Sequence, residues 1–379
     1  MQVLQMPMRL PLKVERGRND EPRFRPNNFD LIRIFAALQV VLTHVFNHLH
    51  YPDVNLHYFL TFFPGVPIFF VTSGYLVSGS FERSGGIRRY FRNRFLRIYP
   101  GLWGCLSVTF LLVFFLGYRP TRFGDYAWFP LQFLGVIYTP QFLRHFGFGS
   151  YNGSLWTIPV ELQFYMLLPL AYWMVRKMRL GDKGFVVLFA LAATFSLTQS
   201  ALFPFGIISD HQFEPISAKF LRICFAPHIY LFLLGVVFQR FKCFKLRWIS
   251  GKGIVWLVCY ILAACVVPST PVVNVLSAIA LGFVTLSMAY TAPRLGDLLL
   301  HHQDVSYGTY IYHGLLVNLV IVSGVHFRFG AFVVLIACTI AVAFLSWRLI
   351  ERPCLARKHT RRQESREVSR TEEVLSVVN

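Results

Sequence analysis

Two residues with ionisable side chains lie in the first long apolar stretch of the chain, "IRIFAALQVVLTH", which covers residues 32–44. Arg33 stands near its start and His44 at its end. A charged group at the centre of a membrane helix costs about 2.5 kcal/mol or more, so both residues indicate a functional site. Eleven positions of helix rise about 16 Å, so the two side chains act at different depths. An imidazole exchanges protons near neutral pH, which makes His44 a candidate general base.

Glu161 is the candidate partner of His44. It lies seven residues past Ser154 in a later apolar stretch, and at about 1.5 Å per helical residue it reaches a depth similar to that of His44. An imidazole beside a carboxylate has the composition of a general base with its orienting group. The alternative is that the two side chains are buried separately. The imidazole would then bond to a backbone carbonyl, and the carboxylate to Trp156 or Tyr165.

A dense group of arginines forms a second polar layer. The run "RRYFRNRFLRIYP" carries Arg92, Arg94 and Arg97 directly before a predicted helix start at Pro100. Arginines bind phosphates through forked, charge-assisted hydrogen bonds, and a helix start adds its own positive end. The alternative is a basic loop that rests against anionic lipid. Arg33 is predicted at similar depth but inside a span, where it gains little from lipid headgroups, and this favours a phosphate site.

The second apolar stretch, "FFPGVPIFFVTSGYLVSG", is rich in glycine and proline. Small residues allow helices to approach closely, and a broken helix is tolerated where it lines a cavity. Ser73 and Gly74 lie toward its cytoplasmic end. This stretch is therefore expected to form one wall of a narrow channel from the arginines to His44.

Two further histidines lie deep in apolar stretches. His228 follows Pro227, which interrupts the local backbone hydrogen bonds, so its imidazole is interpreted mainly as satisfying a freed backbone group. His313 stands in "VSYGTYIYHGLL" close to Tyr307. This polar, aromatic sequence indicates either a substrate path or a hydrogen-bonded packing cluster.

Composition places these residues in a polytopic membrane protein. Of 379 residues, 55% are hydrophobic and only 15% are charged, and the mean hydropathy is +0.50. Runs of about 20 apolar residues, enough to cross about 30 Å of hydrocarbon, predict an all-α fold with ten spans. They are expected near residues 30–50, 58–80, 98–117, 154–175, 184–202, 218–239, 253–267, 272–290, 305–325 and 330–350. Residues 126–148 are either an eleventh span or a surface helix.

The charge pattern sets the predicted orientation. Although the formal net charge is +19, the basic residues fall in alternate loops, which excludes a nucleic-acid partner as the explanation. This positive-inside pattern puts both termini in the cytoplasm and residues 118–153 outside. Residues 1–28 and 354–379 are interpreted as cytoplasmic tails, the second disordered, around a transmembrane domain at 29–353. The seven cysteines are scattered, without a Cys-x-x-Cys pair, and predict neither disulfides nor a metal site.

The order and spacing of these motifs resemble the acyltransferase-3 family of membrane proteins, from about residue 29 to 353. The matching motifs are Arg33 with His44, "GVPIFFVTSGYL", "RNRFLRIYP", "GSLWTIPVELQFY", "YGTYIYH" and the closing "IERP". The resemblance implies a multi-pass protein of the bacterial inner membrane. It implies transfer of an acyl group, commonly acetyl, from cytoplasmic acyl-CoA to a hydroxyl of a saccharide such as an O-antigen or exopolysaccharide. It also implies that His44 is the essential histidine and that Arg94 and Arg97 bind the donor phosphates.

The resulting hypothesis joins the two polar layers. The arginines hold acyl-CoA, a co-substrate rather than a bound cofactor, while His44, supported by Glu161, activates the acceptor hydroxyl. A transient acyl-histidine is an alternative route. The donor site is assigned to Arg33, Ser73, Arg92, Arg94 and Arg97, and the substrate path to Trp156, Tyr165, Tyr307 and His313. Two other functions stay open, namely a transporter or flippase of a glycan or acyl lipid, and a non-catalytic scaffold.

Overall fold

Helices form the whole regular structure of the described residues, which are 27–49, 54–202, 223–300, 303–325 and 329–356 of this computed structural model. In chain order they are α1 (Phe29–Leu49), α2 (Val54–Thr61), α3 (Gly65–Arg83), α4 (Ile87–Phe115), α5 (Trp128–Phe133), α6 (Thr157–Lys177), α7 (Lys183–Leu202), α8 (Ile229–Arg240), α9 (Gly253–Val266), α10 (Pro271–Ala289), α11 (Leu295–Leu300), α12 (Ser306–Val322) and α13 (Phe329–Ser346). A π-helical turn, Trp347–Glu351, follows α13.

Seven segments within the described ranges are long and apolar enough to cross a membrane. They are Phe29–Leu49, Leu56–Arg83, Ile87–Phe115, Gly153–Lys177, Lys183–Leu202, Pro271–Ala289 and Phe329–Ala356. The expectation of a multi-pass, all-α membrane protein is thus confirmed. Every predicted span overlaps a described helix, but α8, α9 and α12 are shorter, so ten spans and cytoplasmic termini stay predictions. Most of both predicted tails, residues 1–26 and 357–379, lies outside the described residues, as do residues 218–222 of the sixth predicted span.

The third span begins earlier than its sequence suggests. α4 covers 29 residues from Ile87 to Phe115, with Pro100 in its interior, so the predicted helix start at Pro100 is wrong. Proline removes one backbone donor, but a membrane helix tolerates this loss where neighbouring groups satisfy the freed carbonyl. The basic run therefore lies on the first turns of a long helix, and the helical period decides where each arginine points.

Close helix packing in the bundle depends on glycines of α3, which packs against α1, α4, α6, α8 and α10. A Cβ atom added at Gly74 would lie 1.9 Å from the backbone oxygen of Phe232 in α8, and one at Gly65 would lie 2.2 Å from that of Ala36 in α1. A residue with a Cβ atom therefore does not fit at either position while the helices are this close. The expectation that the glycine-rich stretch permits close helix approach is confirmed.

The segment between α4 and α6 contains no helix long enough to cross a membrane. It is built from short helical turns, the longest being the six-residue α5. Six residues rise about 9 Å, far short of the roughly 30 Å of hydrocarbon. The segment folds on its own aromatic residues, among which Trp128 and Phe146 are fully buried. The alternative of an eleventh span at residues 126–148 is therefore wrong.

Candidate active site

A cavity of about 350 Å³ is enclosed by α1, α3, α4, α6 and α12. Its described wall includes four arginines and one carboxylate, namely Arg33, Arg83, Arg94, Arg97 and Glu161. The rest of the wall includes hydroxyl groups and aromatic rings, such as those of Ser73, Tyr165 and Tyr307, together with aliphatic side chains. Because positive charge exceeds negative charge in this enclosed space, the cavity suits an anionic ligand.

The period of α4 selects the arginines that reach this cavity. Arg94 and Arg97 are three residues apart, on one helix face, and both line the cavity. Arg88 and Arg89 are exposed and, among the described residues, are not part of the cavity wall. Arg92 is half-buried and, among the described residues, is not part of the cavity wall. The structure therefore brings together all the predicted donor-site residues except Arg92.

Arg33 and Arg97 meet on one carboxylate, Asp304, which the sequence pattern alone does not single out. Their guanidinium nitrogens both lie 2.5 Å from Oδ2 of Asp304, and Ser306 Oγ donates a hydrogen bond to Oδ1 at 2.5 Å. Burial alone would raise the pKa of Asp304, which lies before α12 begins, but the two arginines override it and hold the pKa below its usual range. This ion-pair clamp joins α1 and α4 to the start of α12.

Glu161 faces the cavity and is not paired with His44. Ser73 Oγ donates to Glu161 Oε1 at 3.0 Å, and the hydroxyl of Tyr165 donates to the same oxygen. The expected direct pair with His44 is therefore wrong, and the alternative in which Tyr165 binds the carboxylate is confirmed. The physical reason is that equal depth does not fix the rotation of a helix, and α6 turns Glu161 toward Ser73 of α3.

His44 belongs to a second polar cluster made of histidines. Its ring centroid lies 4.9 Å from that of His313, 5.5 Å from that of His48 and 6.2 Å from that of Phe148. His313 is fully buried, and its Nδ1 atom lies 2.7 Å from the backbone oxygen of Tyr310. Nδ1 of His44 and Nε2 of His313 are buried, and neither has a hydrogen-bond partner in the described part of the chain.

Tyr310 separates the cavity from the histidine cluster. It lines the cavity, and its ring centroid lies 5.9 Å from that of His313 and 5.3 Å from that of Phe69. Its hydroxyl donates to the backbone oxygen of Ser154 at 2.8 Å and shares a 2.8 Å hydrogen bond with Thr157. The predicted wall of α3 is present, but the described lining does not include His44. The expected open channel from the arginines to His44 is therefore interrupted at Phe69 and Tyr310.

The segment before α6 covers the other side of the histidine cluster. The ring of Phe148 stacks on that of His48 at 3.9 Å, with 6° between their planes. Asn318 of α12 holds this segment, because its Oδ1 accepts from the Phe148 backbone at 3.0 Å and its Nδ2 donates to the backbone oxygens of Ser150 and Tyr151 at 2.7 and 3.0 Å. The cluster is thus enclosed between Tyr310 and Phe148.

The remaining path candidates lie in different places. Tyr165 and Tyr307 line the cavity, and the hydroxyl of Tyr307 donates to the backbone oxygen of Ile98 at 2.9 Å. Trp156 packs against His228 with ring centroids 5.5 Å apart and, within the described ranges, is not part of the cavity wall. His228 is buried in this aromatic contact, and its interpretation as satisfying a freed backbone group stays a prediction.

Two buried polar residues escape sequence-based selection although both lie in quoted motifs. Asn93 is only 6% exposed and lines the cavity, and its Oδ1 has no hydrogen-bond partner in the described part of the chain. Glu351 is 2% exposed and accepts a 3.1 Å hydrogen bond from Ser346. Asn93 lies three residues after the buried Tyr90, a helical spacing that would have indicated its inward direction. Across the described residues, no group of three or more His, Cys, Asp or Glu side chains is arranged to hold a metal ion.

The fold and the site define a multi-pass helical membrane protein with an arginine-lined cavity beside a buried histidine pair. A family described as an acyltransferase domain matches residues 27–348, and the chain therefore belongs to the acyltransferase-3 family. It is 32% identical to nodulation protein 10 of Rhizobium leguminosarum bv. viciae over 89% of this chain and 95% of that protein. It is 25% identical to an O-acetyl transferase of Shigella phage Sf6 over 88% of this chain and 97% of that protein. No solved structure matches the chain.

Proposed function

We propose that this protein is a membrane O-acyltransferase that moves an acyl group from cytoplasmic acyl-CoA to a hydroxyl of a cell-surface or secreted saccharide, with His44 as general base. The observation that carries the proposal is the arginine-lined cavity ending at Tyr310, with the His44 and His313 rings directly behind it. Membership of an acyltransferase family and an O-acetyl transferase relative support the same reaction class, and the relative's name favours acetyl as the group transferred.

The donor is proposed to enter from the arginine side. Arg33 and Arg97 already share Asp304, so they define the shape and charge of the entrance. Arg94 donates to Ser80 Oγ at 3.1 Å and lines the cavity, which suits its guanidinium group to a donor phosphate. A cavity of about 350 Å³ is at the small end of ligand sites, so it suits the pantetheine arm and acyl group better than a whole coenzyme.

The transfer step follows from base catalysis at His44. The imidazole takes the proton of the acceptor hydroxyl while the oxygen bonds to the thioester carbon. The carbon–sulfur bond then breaks, and the departing CoA thiolate takes the proton from His44. General-base help of this kind contributes about 10² to 10⁴ in rate, and holding the reactants together adds to it. An acyl-histidine formed by direct attack of His44 on the thioester is the alternative route.

Tyr310 and Phe69 are proposed to move when the acyl group passes, because they lie between the cavity and the histidines. Glu161 is assigned to the donor cavity, where it balances one arginine charge and holds Ser73 and Tyr165. The acceptor, a carbohydrate or lipid-linked saccharide, approaches from the opposite, outer side. This topology rests on the positive-inside pattern. The family and its bacterial relative support the proposal of a multi-pass protein of the bacterial inner membrane, in contact with lipid.

Replacement of His44 tests the proposed function. Membranes containing the wild type, His44→Ala or His145→Ala would be assayed for transfer of labelled acetyl from acetyl-CoA to purified bacterial glycan. His145 is an exposed histidine of the segment before α6 and serves as control. Loss of transfer in His44→Ala alone supports the proposal, and unchanged transfer contradicts it. Lost glycan export with intact acylation would identify a transporter or flippase instead.

A further inference from the structure

Two buried nitrogen atoms without hydrogen-bond partners in the described chain belong to neighbouring rings. They are Nδ1 of His44 and Nε2 of His313. The ring centroids are 4.9 Å apart and the ring planes are 80° apart. Leaving a buried polar atom unpaired costs stability, so two of them at a single ring contact indicate one shared interaction.

The hydrogen-bond chemistry of His313 fixes its tautomer. Its Nδ1 lies 2.7 Å from the backbone oxygen of Tyr310. A carbonyl oxygen only accepts, so Nδ1 of His313 carries the hydrogen. In the neutral ring, Nε2 is then a hydrogen-bond acceptor. The matching tautomer of His44 has its hydrogen on Nδ1, which leaves Nε2 of His44 as the basic nitrogen.

We propose that His313 is the positioning residue of His44 and accepts a hydrogen bond from its Nδ1–H. The inference rests on the proposed function, in which His44 is the general base. It assigns to His313 the orienting role that a carboxylate has in other base-catalysed sites and that Glu161 does not fill in this structure. Because the terminal side-chain torsion of an imidazole is soft, we expect the bond to form by rotation of the His44 ring.

The proposed pair works without a proton on Nε2 of His313. His44 takes the acceptor proton on its own Nε2, keeps the hydrogen on Nδ1 bonded to His313, and gives the new proton to the CoA thiolate. His313 stays neutral throughout, and the hydrogen bond from its Nδ1 to the backbone oxygen of Tyr310 holds its ring in place. Since the Tyr310 ring also ends the donor cavity, a shift of this residue would move the base and the cavity wall together.

Two substitutions at one position separate orientation from packing. In His313→Asn, the amide donates to Tyr310 as Nδ1 does but has no atom in the place of Nε2. In His313→Gln, the amide oxygen takes the place of Nε2 and accepts from His44. We expect kcat for acetyl transfer to fall by about 10- to 100-fold in His313→Asn, the scale on which partners that orient metal-bound imidazoles act, with KM for acetyl-CoA unchanged. His313→Gln is expected to recover most of the lost kcat.

Several results would contradict the positioning role of His313. Equal kcat in the Asn and Gln variants would assign His313 to packing and overturn the inference. Thermal stability is measured for both variants to identify a folding defect. A loss in His48→Asn equal to that in His313→Asn would give the orienting role to His48. In a His44→Ala background, His313→Asn should have no further effect, because the two residues act as one unit. Full activity of His44→Ala itself would contradict the proposed function instead.

Discussion

The imidazole rings of His44 and His313 lie 4.9 Å apart between centroids, whereas the carboxylate of Glu161 is hydrogen-bonded by Ser73 in the arginine-lined cavity. The protein therefore has two polar sites inside one helical bundle. Tyr310 contacts both of them. In the proposed function, donor binding and base catalysis take place in these two separate sites, so variants in one site should change kinetic parameters that variants in the other leave alone.

Asp304→Asn is expected to destabilise the protein. The substitution leaves Arg33 and Arg97 without their shared carboxylate, and breaking a buried ion pair from one side costs about 3–5 kcal/mol. Thermal unfolding of the purified protein in detergent measures the loss. Asp297→Asn, at an exposed aspartate of α11, is the control and should cost less than about 1 kcal/mol, because exposed ion pairs contribute little.

The pH dependence of that difference has a definite sign. The pKa of Asp304 is held below its usual range by the two arginines, so the clamp stabilises fully above the unfolded-state pKa of about 3.9. Its contribution is lost only as the pH falls further, toward the folded-state pKa. The difference in the free energy of unfolding between the wild type and Asp304→Asn should therefore stay constant from pH 8 to about 5. A gap that closes within this window would contradict the clamp.

Asn93→Leu should weaken donor binding without destabilising the fold. Asn93 lines the cavity, and its buried Oδ1 has no partner in the described chain, so we propose that Oδ1 accepts from a donor N–H group when the donor binds. Loss of one hydrogen bond corresponds to about a 2- to 10-fold increase in KM for acyl-CoA. Removing an unpaired buried oxygen should leave the melting temperature unchanged or raise it. Steady-state kinetics together with thermal unfolding test both parts, and an unchanged KM would exclude Asn93 from the donor site.

Arg94→Gln and Arg92→Gln form a matched pair on one helix. Arg94 lines the cavity, so we expect its loss to raise KM for acyl-CoA by about 10-fold or more, as for a charge-assisted hydrogen bond. Arg92 points elsewhere, and its loss should change KM by less than about 2-fold. Donor titrations in the same lipid composition compare the two. Similar effects of both substitutions would mean that donor binding depends on the total positive charge near α4 and not on the direction in which each arginine points from the helix.

Gly74→Ala tests the helix contact that shapes the cavity wall. The added Cβ would lie 1.9 Å from the backbone oxygen of Phe232, so α3 and α8 must separate, at a cost of about 1–3 kcal/mol. Gly330→Ala is the control, because a Cβ at that helical position meets nothing within 4 Å. We expect a clear loss of thermal stability in the first variant and none in the second. Equal stabilities would show that the two backbones are not in close contact.

Much of the architecture could be predicted from the sequence, because the lengths of the apolar runs and the charges of the loops between them both depend on depth in the membrane. The different depths of Arg33 and His44 and the close approach at Gly74 follow from such local rules. Helix rotation does not, because it is set by packing, and so the direction of Glu161 was not predictable from its depth. Asp304 is separated by 271 positions in the chain from Arg33, and no local pattern connects them.

In the proposed function, His44 catalyses the transfer of acyl groups that are delivered from the arginine side of the membrane. The most direct measurement uses sealed vesicles with labelled acetyl-CoA on one side and acceptor saccharide on the other, comparing the wild type with His44→Ala. We predict labelled saccharide only when acetyl-CoA faces the side of Arg94, and a decrease of about 10²-fold or more in His44→Ala. Transfer by His44→Ala at the wild-type rate would contradict the account.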